Sequence, residues 1–254
     1  MQVRTQVTGF RKREWTSGEN LGDEALELPA TQFETTGYWL AISPATVEAL
    51  SKEGVWTGAP NDYGPDWAKI RLRVRTRDEF RCQVCGRVES GREHDVHHKI
   101  PFRTFRDEAG QIERERANRL DNLVTLCPEC HHKAEMNVRM RSGLAGLATV
   151  FAQLAPLFLM CDAGDLGLHY DPQAAYADGG PAVALYDQVP SGIGFSQKLY
   201  ELHDSLVVRA LELVEECPCE DGCPSCVGPA GENGLGGKLE TLEILKILVQ
   251  NRGG

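Results

Sequence analysis

Positive charge is scarce in this chain. Its 254 residues hold 27 Lys and Arg against 37 Asp and Glu, a formal net charge of −10. On average that balance argues against a polyanionic partner. An apolar leader is also missing: "QVRTQVTGFRKREW" follows Met1 and is charged throughout, so no secretory signal is visible and a cytoplasmic protein is expected. Internal repeats and low-complexity tracts are absent, which excludes a repeat array. A nucleotide-binding loop of the form G-x-x-x-x-G-K-[ST] is absent too. Its nearest approach, "GENGLGGKLE", has Glu232 where the first Gly belongs and Leu239 after Lys238, so this chain alone is not expected to hydrolyse ATP.

Only one long apolar run is present, "SGLAGLATVFAQLAPLFLMC" from Ser142 to Cys161. It is long enough to span a bilayer but is rich in Ala and Gly, contains Gln153 and Pro156, and lacks an aromatic belt. Leu144, Leu147, Phe151, Leu154 and Phe158 recur at helical spacing, so the run reads as a buried core helix broken at Pro156, with no membrane partner.

The average charge hides a division. From Trp67 to Arg141 there are 17 Lys and Arg and 12 Asp and Glu, a balance of +5, whereas the remainder carries −15. A basic block inside an acidic chain implies two modules, one of which can face phosphate. "EGVWTGAPNDYGPDW", dense in Gly, Pro, Asn and Asp, precedes the block and has boundary composition. Residues 1–55 and 142–254 are therefore expected to form one discontinuous host domain, and 56–141 an inserted module. In the host, Val3 to Leu40 reads as strand-rich and "SPATVEALSKEG" as a short helix with Ser43 as cap before Pro44. Leu199, Leu202, Leu206, Ala210 and Leu213 mark an amphipathic helix, and "KLETLEILKILVQN" a closing one.

Eight of the nine cysteines form two quartets. Cys82-Cys85 and Cys127-Cys130 are C-x-x-C pairs separated by 41 residues, and Cys217, Cys219, Cys223 and Cys226 fall within "CPCEDGCPSC". With no secretion signal, each quartet reads as a closed tetrahedral Zn²⁺ site rather than as disulfides, and a closed four-sulfur site is structural. Cys161 is left as a buried free thiol. "HDVHHKIPF" places three of the seven histidines between the first two C-x-x-C pairs; His94 and His132 read as surface bystanders.

"VHHKIPF" followed by "LDNLVTLCPECHHKAE" resembles the HNH, or ββα-metal, endonucleases whose fold is clamped by two C-x-x-C knuckles. The resemblance covers about Trp67–Asn137. It implies His98 as general base, His97 and His131 (from the start of the following helix) as ligands of one catalytic divalent ion (Mg²⁺, Mn²⁺, Ni²⁺ or Zn²⁺), and Asn122 bonding across the loop to orient His98. Neighbouring strand residues point to opposite faces, so His97 and His98 can address one site only at a strand end or bend. Lys99, Arg103 and Lys133 are candidates for phosphate contact. The flanking segments, including "TTGYWL" and "SGIGFSQKLYELHDSLVVRALELVEECPCEDGCPSC", resemble the zinc-binding C-terminal domain of bacterial superfamily 2 helicases of the MrfA type. That implies DNA as partner and a helicase motor in cis or in trans. The expected architecture is α+β, a zinc-stapled helical host with an inserted nuclease that hydrolyses DNA phosphodiesters in repair or defence. The alternative is a non-catalytic DNA-binding scaffold.

Overall fold

The computed structural model describes residues 1–14, 20–52, 61–105, 107, 111–228 and 237–251. Of the expected boundary stretch, 53–60 lies outside the described residues, as does the glycine-rich 229–236.

The chain opens with five strands: β1 (Gln2–Thr5), β2 (Gly9–Arg13), β3 (Asn20–Ala25), β4 (Thr31–Glu34) and β5 (Gly37–Ala41). β1 pairs antiparallel with β4, and β2 with β3. β5 instead joins β8 (Leu166–Ala174) and β9 (Gly180–Asp187) in an antiparallel sheet of order β5-β9-β8. Alternation decides which face is buried: Tyr38 pairs with Leu185 and Leu40 with Val183, all four buried, while Trp39 between them is exposed. After β5 comes α1 (Pro44–Leu50), started as expected by Ser43, whose Oγ accepts the Thr46 N–H at 3.1 Å.

The buried face of that sheet rests on α4 (Pro128–Leu159), whose Leu144, Leu147, Phe151 and Leu154 fill the main core. α4 corrects the sequence reading at both ends. It begins at Pro128, so the boundary expected between 141 and 142 falls inside a continuous 32-residue helix. It also runs through Pro156 for one more turn, ending at Met160 in the left-handed conformation. A proline this near the end removes a single hydrogen bond, and burial of Leu154 and Ala155 outweighs the loss. α4 is long and apolar enough to cross a membrane, yet 61% of its most apolar window is buried inside the protein. Cys161, expected to be buried, is only half-buried beyond its end.

Two further helices close the host core: α6 (His203–Glu216) and α7 (Lys238–Gln250). α7 lies close against α4 because Gly143 and Gly146 have no side chains. A Cβ on Gly143 would meet Ile244 at 2.5 Å, and one on Gly146 would meet Thr241 at 2.1 Å. The single amphipathic helix expected through Leu199 and Leu213 is two, α5 (Phe195–Glu201) and α6, separated at Leu202. The break lets the His203 ring meet the Tyr38 hydroxyl at 2.7 Å. The architecture is α+β, as expected, though the host is less purely helical than the sequence implies.

The basic block builds a smaller layer: α2 (Trp67–Arg77), the antiparallel pair β6 (Asp95–His98) and β7 (Leu123–Leu126), the short α3 (Arg114–Ala117), and the first turns of α4. Val74, Val96 and Leu123 make its own small core with Trp67, Ile70 and Leu120. Arg77 and Asp78 rivet α2 to β7: the Asp78 carboxylate accepts the Thr125 N–H at 2.9 Å, and Arg77 donates to the carbonyls of Leu120 and Leu123.

A buried carboxylate, Asp187, holds the turn into α5. It accepts the N–H groups of Ile193, Gly194, Phe195 and Ser196 and the Ser196 hydroxyl. Burial alone pushes its carboxyl up, but the Ser196 hydroxyl and the backbone donors together hold it below the ordinary aspartate value. A depressed folded-state value adds stability that is present above the unfolded aspartate value of about 3.9 and lost as pH falls through the folded one. Asp187→Ala is therefore expected to cost about 2–3 kcal/mol at neutral pH in urea unfolding, with the gap from wild type narrowing in acid. A gap independent of pH would contradict this account.

Candidate functional site

The first quartet assembles where β7 runs into α4. Cys82 opens a tight turn in which the Gly86 N–H bonds the Cys82 carbonyl at 2.9 Å, with Gly86 at φ +74°. The Gln83 N–H bonds the Thr125 carbonyl at 2.9 Å, setting this knuckle against β7. Cys127 is the N-cap residue of α4, and Cys130 lies in its first turn. One ligand atom from each cysteine lies within 4.8 Å of the others. In the second quartet, the Sγ atoms of Cys217, Cys219, Cys223 and Cys226 sit 3.5–3.6 Å from their neighbours, and in the first Cys85 and Cys127 are 3.7 Å apart. Disulfide sulfurs lie about 2.05 Å apart, whereas zinc–sulfur bonds of about 2.3 Å give tetrahedron edges of about 3.8 Å. Both quartets fit a zinc ion. Hydrogen bonding and charge within the first quartet set two of its thiols apart. Although burial opposes it, the N–H groups of Cys85, Cys127 and Val84 draw Cys82 down to about 6, while Cys130 is pushed up to about 12, first by its hydrogen bond to Cys127.

Lys238, considered above for a phosphate, is committed elsewhere. Its Nζ donates to the carbonyls of Cys217 and Cys219, tying the start of α7 to the second knuckle.

The histidines separate by strand alternation. In β6, His97 faces α4 and His98 faces α2. His97 Nδ1 lies 3.2 Å from Oε1 of Glu135, and His131 Nε2 lies 3.8 Å from the same oxygen. Ligand atoms of His97, His131 and Glu135 fall within 4.8 Å of one another. Although close to Glu135, the buried His97 Nδ1 has no hydrogen-bond partner: the distance is short but the direction is wrong for an N–H bond. A nitrogen and an oxygen that converge without bonding each other suit a shared cation. Burial lowers the proton affinity of His131, keeping its ring in the neutral, ligating form. The His97 ring, acting against burial, holds the Glu135 carboxyl below the ordinary glutamate range. Glu135 is the residue the sequence reading missed. Its signal was the spacing of His131 and Glu135, four apart and hence on one helix face.

His98 packs into an aromatic cluster. It is 7% exposed; the Tyr63 and Trp67 rings stack on it within 15° at 5.2 and 5.3 Å, and Phe102 meets it edge-on. Burial lowers its proton affinity, partly offset by its hydrogen bond to Asn118 Oδ1. Here the structure corrects the role expected of Asn122. Asn122 does bond across the loop, its Oδ1 accepting the Ile100 N–H at 2.8 Å and its Nδ2 donating to the Ala117 and Ile100 carbonyls. The side chain that touches His98 is Asn118, whose Oδ1 is 3.0 Å from Nε2. His94 is no bystander either: it is buried, its ring bonds the Arg87 carbonyl, and its N–H meets Glu89, which is doubly bonded to Arg75. His132 is exposed, as expected.

Of the expected phosphate contacts, Lys133 is exposed on α4, and Lys99 is exposed with its Nζ on the Asp121 carbonyl at 2.8 Å. The Arg103 side chain lies outside the described residues. A cleft of about 350 Å³ beside Lys99 also draws in Arg116 and Arg119, which the sequence reading did not single out.

Comparison with known proteins matches two family models. Residues 82–136 match the HNH endonuclease model and residues 147–227 the MrfA Zn-binding domain. The chain joins an HNH module to an MrfA Zn-binding domain. Two relatives are named as helicases: the chain is 35% identical over 102 residues to the uncharacterized ATP-dependent helicase YprA of Bacillus subtilis, covering 40% of this chain and 13% of that protein. It is 47% identical over 36 residues to the ATP-dependent helicase HRQ1 of Saccharomyces cerevisiae, covering 14% and 3% of the respective chains. An uncharacterized Methanocaldococcus jannaschii protein, MJ1572.1, is 38% identical over 45 residues, 18% of this chain and 40% of its own. The crystal structure of the DUF1998 helicase MrfA bound to DNA aligns with 97% of this chain and 21% of its own at 21% identity, with a TM-score of 0.49, too low to equate the folds. The chain thus spans a small part of the helicases it resembles.

Purified protein is expected to carry two tightly bound zinc ions by atomic emission, and Cys127→Ser one. Two ions retained in that variant would show that the first quartet is not a zinc site.

Proposed function

We propose that the chain is a metal-dependent endonuclease hydrolysing DNA phosphodiester bonds, formed by a module spanning about 56–141 within a host of 1–55 and 142–254. The carrying observation is the convergence of His97, His131 and Glu135 on one point with His97 Nδ1 unpartnered. These three residues would hold a divalent ion, with two imidazoles favouring Mn²⁺, Ni²⁺ or Zn²⁺ alongside Mg²⁺. Such an ion supplies positive charge for the phosphate and the leaving oxygen. His98, kept neutral by burial, takes a proton from the attacking water. Asn122 pins the loop that follows His98 to the strand end. Lys99, Arg103 and Lys133, with Arg116 and Arg119 at the cleft, would contact flanking phosphates.

The helicase relatives support a motor acting in cis or in trans, and DNA as the polymer handled, in repair or defence. Cysteines gathered into metal quartets rather than disulfides support a reducing, cytoplasmic compartment. One observation favours a second reading, a non-catalytic DNA-binding scaffold: His98 is nearly covered by Tyr63 and Trp67.

Supercoiled plasmid incubated with Mg²⁺, Mn²⁺ or Ni²⁺ separates the two. Nicked or linear product is expected from wild type, with a rate lower by roughly 10²- to 10⁴-fold for His98→Ala. Glu135→Gln is expected to weaken Mn²⁺ binding on the order of 10- to 100-fold. Plasmid that is retarded but intact with every protein supports the scaffold instead.

A further inference from the structure

Asn118 lies outside the histidine and asparagine pattern, yet it makes the one side-chain hydrogen bond to the His98 ring among the described residues. It sits just after α3, where its own N–H bonds the Arg114 carbonyl at 2.9 Å, and its side chain is buried. Its Nδ2 donates to the Tyr63 carbonyl at 2.9 Å. A carbonyl only accepts, so this contact decides which end of the amide is nitrogen. The Oδ1 atom, which also only accepts, is then the atom 3.0 Å from His98 Nε2. His98 Nε2 must therefore carry a proton.

We propose that Asn118 is a positioning residue that locks His98 in its Nε2–H tautomer, leaving the lone pair on Nδ1 to receive a proton. Two constraints act together. The near-parallel rings of Tyr63 and Trp67 fix the plane of the imidazole, at 15° to each. The Asn118 amide fixes which way round the ring lies in that plane. Through its second hydrogen bond, the same amide ties down the backbone carrying Tyr63, so the stack and the amide brace one another. Sequence gives no hint of this, because Asn118, the first of the two asparagines in "RERANRLDN", has no motif of its own.

The inference rests on reading His98 as the base, but its first test does not. In the full chain labelled with ¹⁵N-histidine, long-range ¹H–¹⁵N correlation spectra at alkaline pH report the neutral tautomer of each ring. Wild type is expected to show His98 as Nε2–H. Asn118→Ala, and Asn118→Leu where volume must be kept, are expected to show a mixture of tautomers. Asn118→Asp, which keeps an acceptor at that place, is expected to retain Nε2–H. Melting temperature and zinc content monitor the fold of each variant. In the plasmid assay, Asn118→Ala is expected to lower kcat on the order of 10- to 100-fold with KM for DNA and Mn²⁺ affinity unchanged. A wild-type His98 in the Nδ1–H form overturns the inference without any variant. So does a folded Asn118→Ala that keeps both tautomer and rate while wild type cuts DNA, and the nuclease reading then stands. If wild type cuts nothing, the nuclease reading fails, and the tautomer spectra still judge Asn118.

Discussion

Everything in this molecule hangs on how α4 begins. Cys127 caps it, Cys130 closes the first sulfur quartet, and His131 and Glu135 follow on the next turns. A helix is rigid over such a distance, so a zinc ion gripping Cys127 and Cys130 fixes the place of His131 and Glu135 to within a side-chain rotamer. The other two sulfurs come from the Cys82 knuckle, which is hydrogen-bonded to β7, and β7 is the partner of β6, the strand carrying His97. The sulfur clamp therefore sets the strand and the helix whose side chains must converge. Remove it and a small core of Val74, Val96 and Leu123 is left to hold the geometry, too little apolar burial for a stable module of this size. The same α4 goes on to become the centre of the host core, so the two modules share a beam rather than a linker.

Much of this was legible in the sequence, and the failures have physical reasons. Sulfur spacing reveals a metal quartet because few other arrangements use four thiols so close together. Helical apolar spacing reveals the core half of α4. It does not reveal the polar half, where "CHHKAEMNVRMR" meets metal ligands and a shorter stretch of core instead of a continuous apolar face. That is why the helix start implied at His131 and the apolar helix from Ser142 read as two separate elements. Glu135 was missed because an acidic residue on a helix usually faces water; only the geometry distinguishes a carboxylate aimed at two imidazoles. Asn118 and Asn122 illustrate a further limit. Both are buried amides in one loop, and the family pattern weights Asn122, but which of them reaches His98 is set by a turn of backbone that no spacing encodes. His94 was underrated because its value lies in a backbone carbonyl of the knuckle and an ion pair brought from α2.

From Glu135 a row of charge runs along α4 into the host. Arg139 lies 4.0 Å from Glu135 and 3.6 Å from Glu240, which is fully buried on α7. The close approach that brings Glu240 there depends on Gly143 and Gly146, one and two turns further along α4. Contacts at these lengths are loose and hold little energy individually. Their effect is directional: Arg139 balances the buried carboxylate of the host and leaves Glu135 facing the histidines.

The opposed directions of His97 and His98 then bear on the chemistry. Adjacent side chains on a strand point to opposite faces, and here one face meets the ligand cluster on α4 while the other meets the aromatic rings beside α2. In hydrolysis of a phosphodiester the attacking water and the departing oxygen lie on opposite sides of the phosphorus. On the nuclease reading, a base and a cation site are wanted on opposite sides of a point, not crowded together. Two successive residues at the end of β6, where pairing stops at His98 and Leu123 and the Asn122-pinned loop begins, supply that separation. On that reading, the alternation that looked like an obstacle in the sequence would let one short strand serve both halves of the reaction.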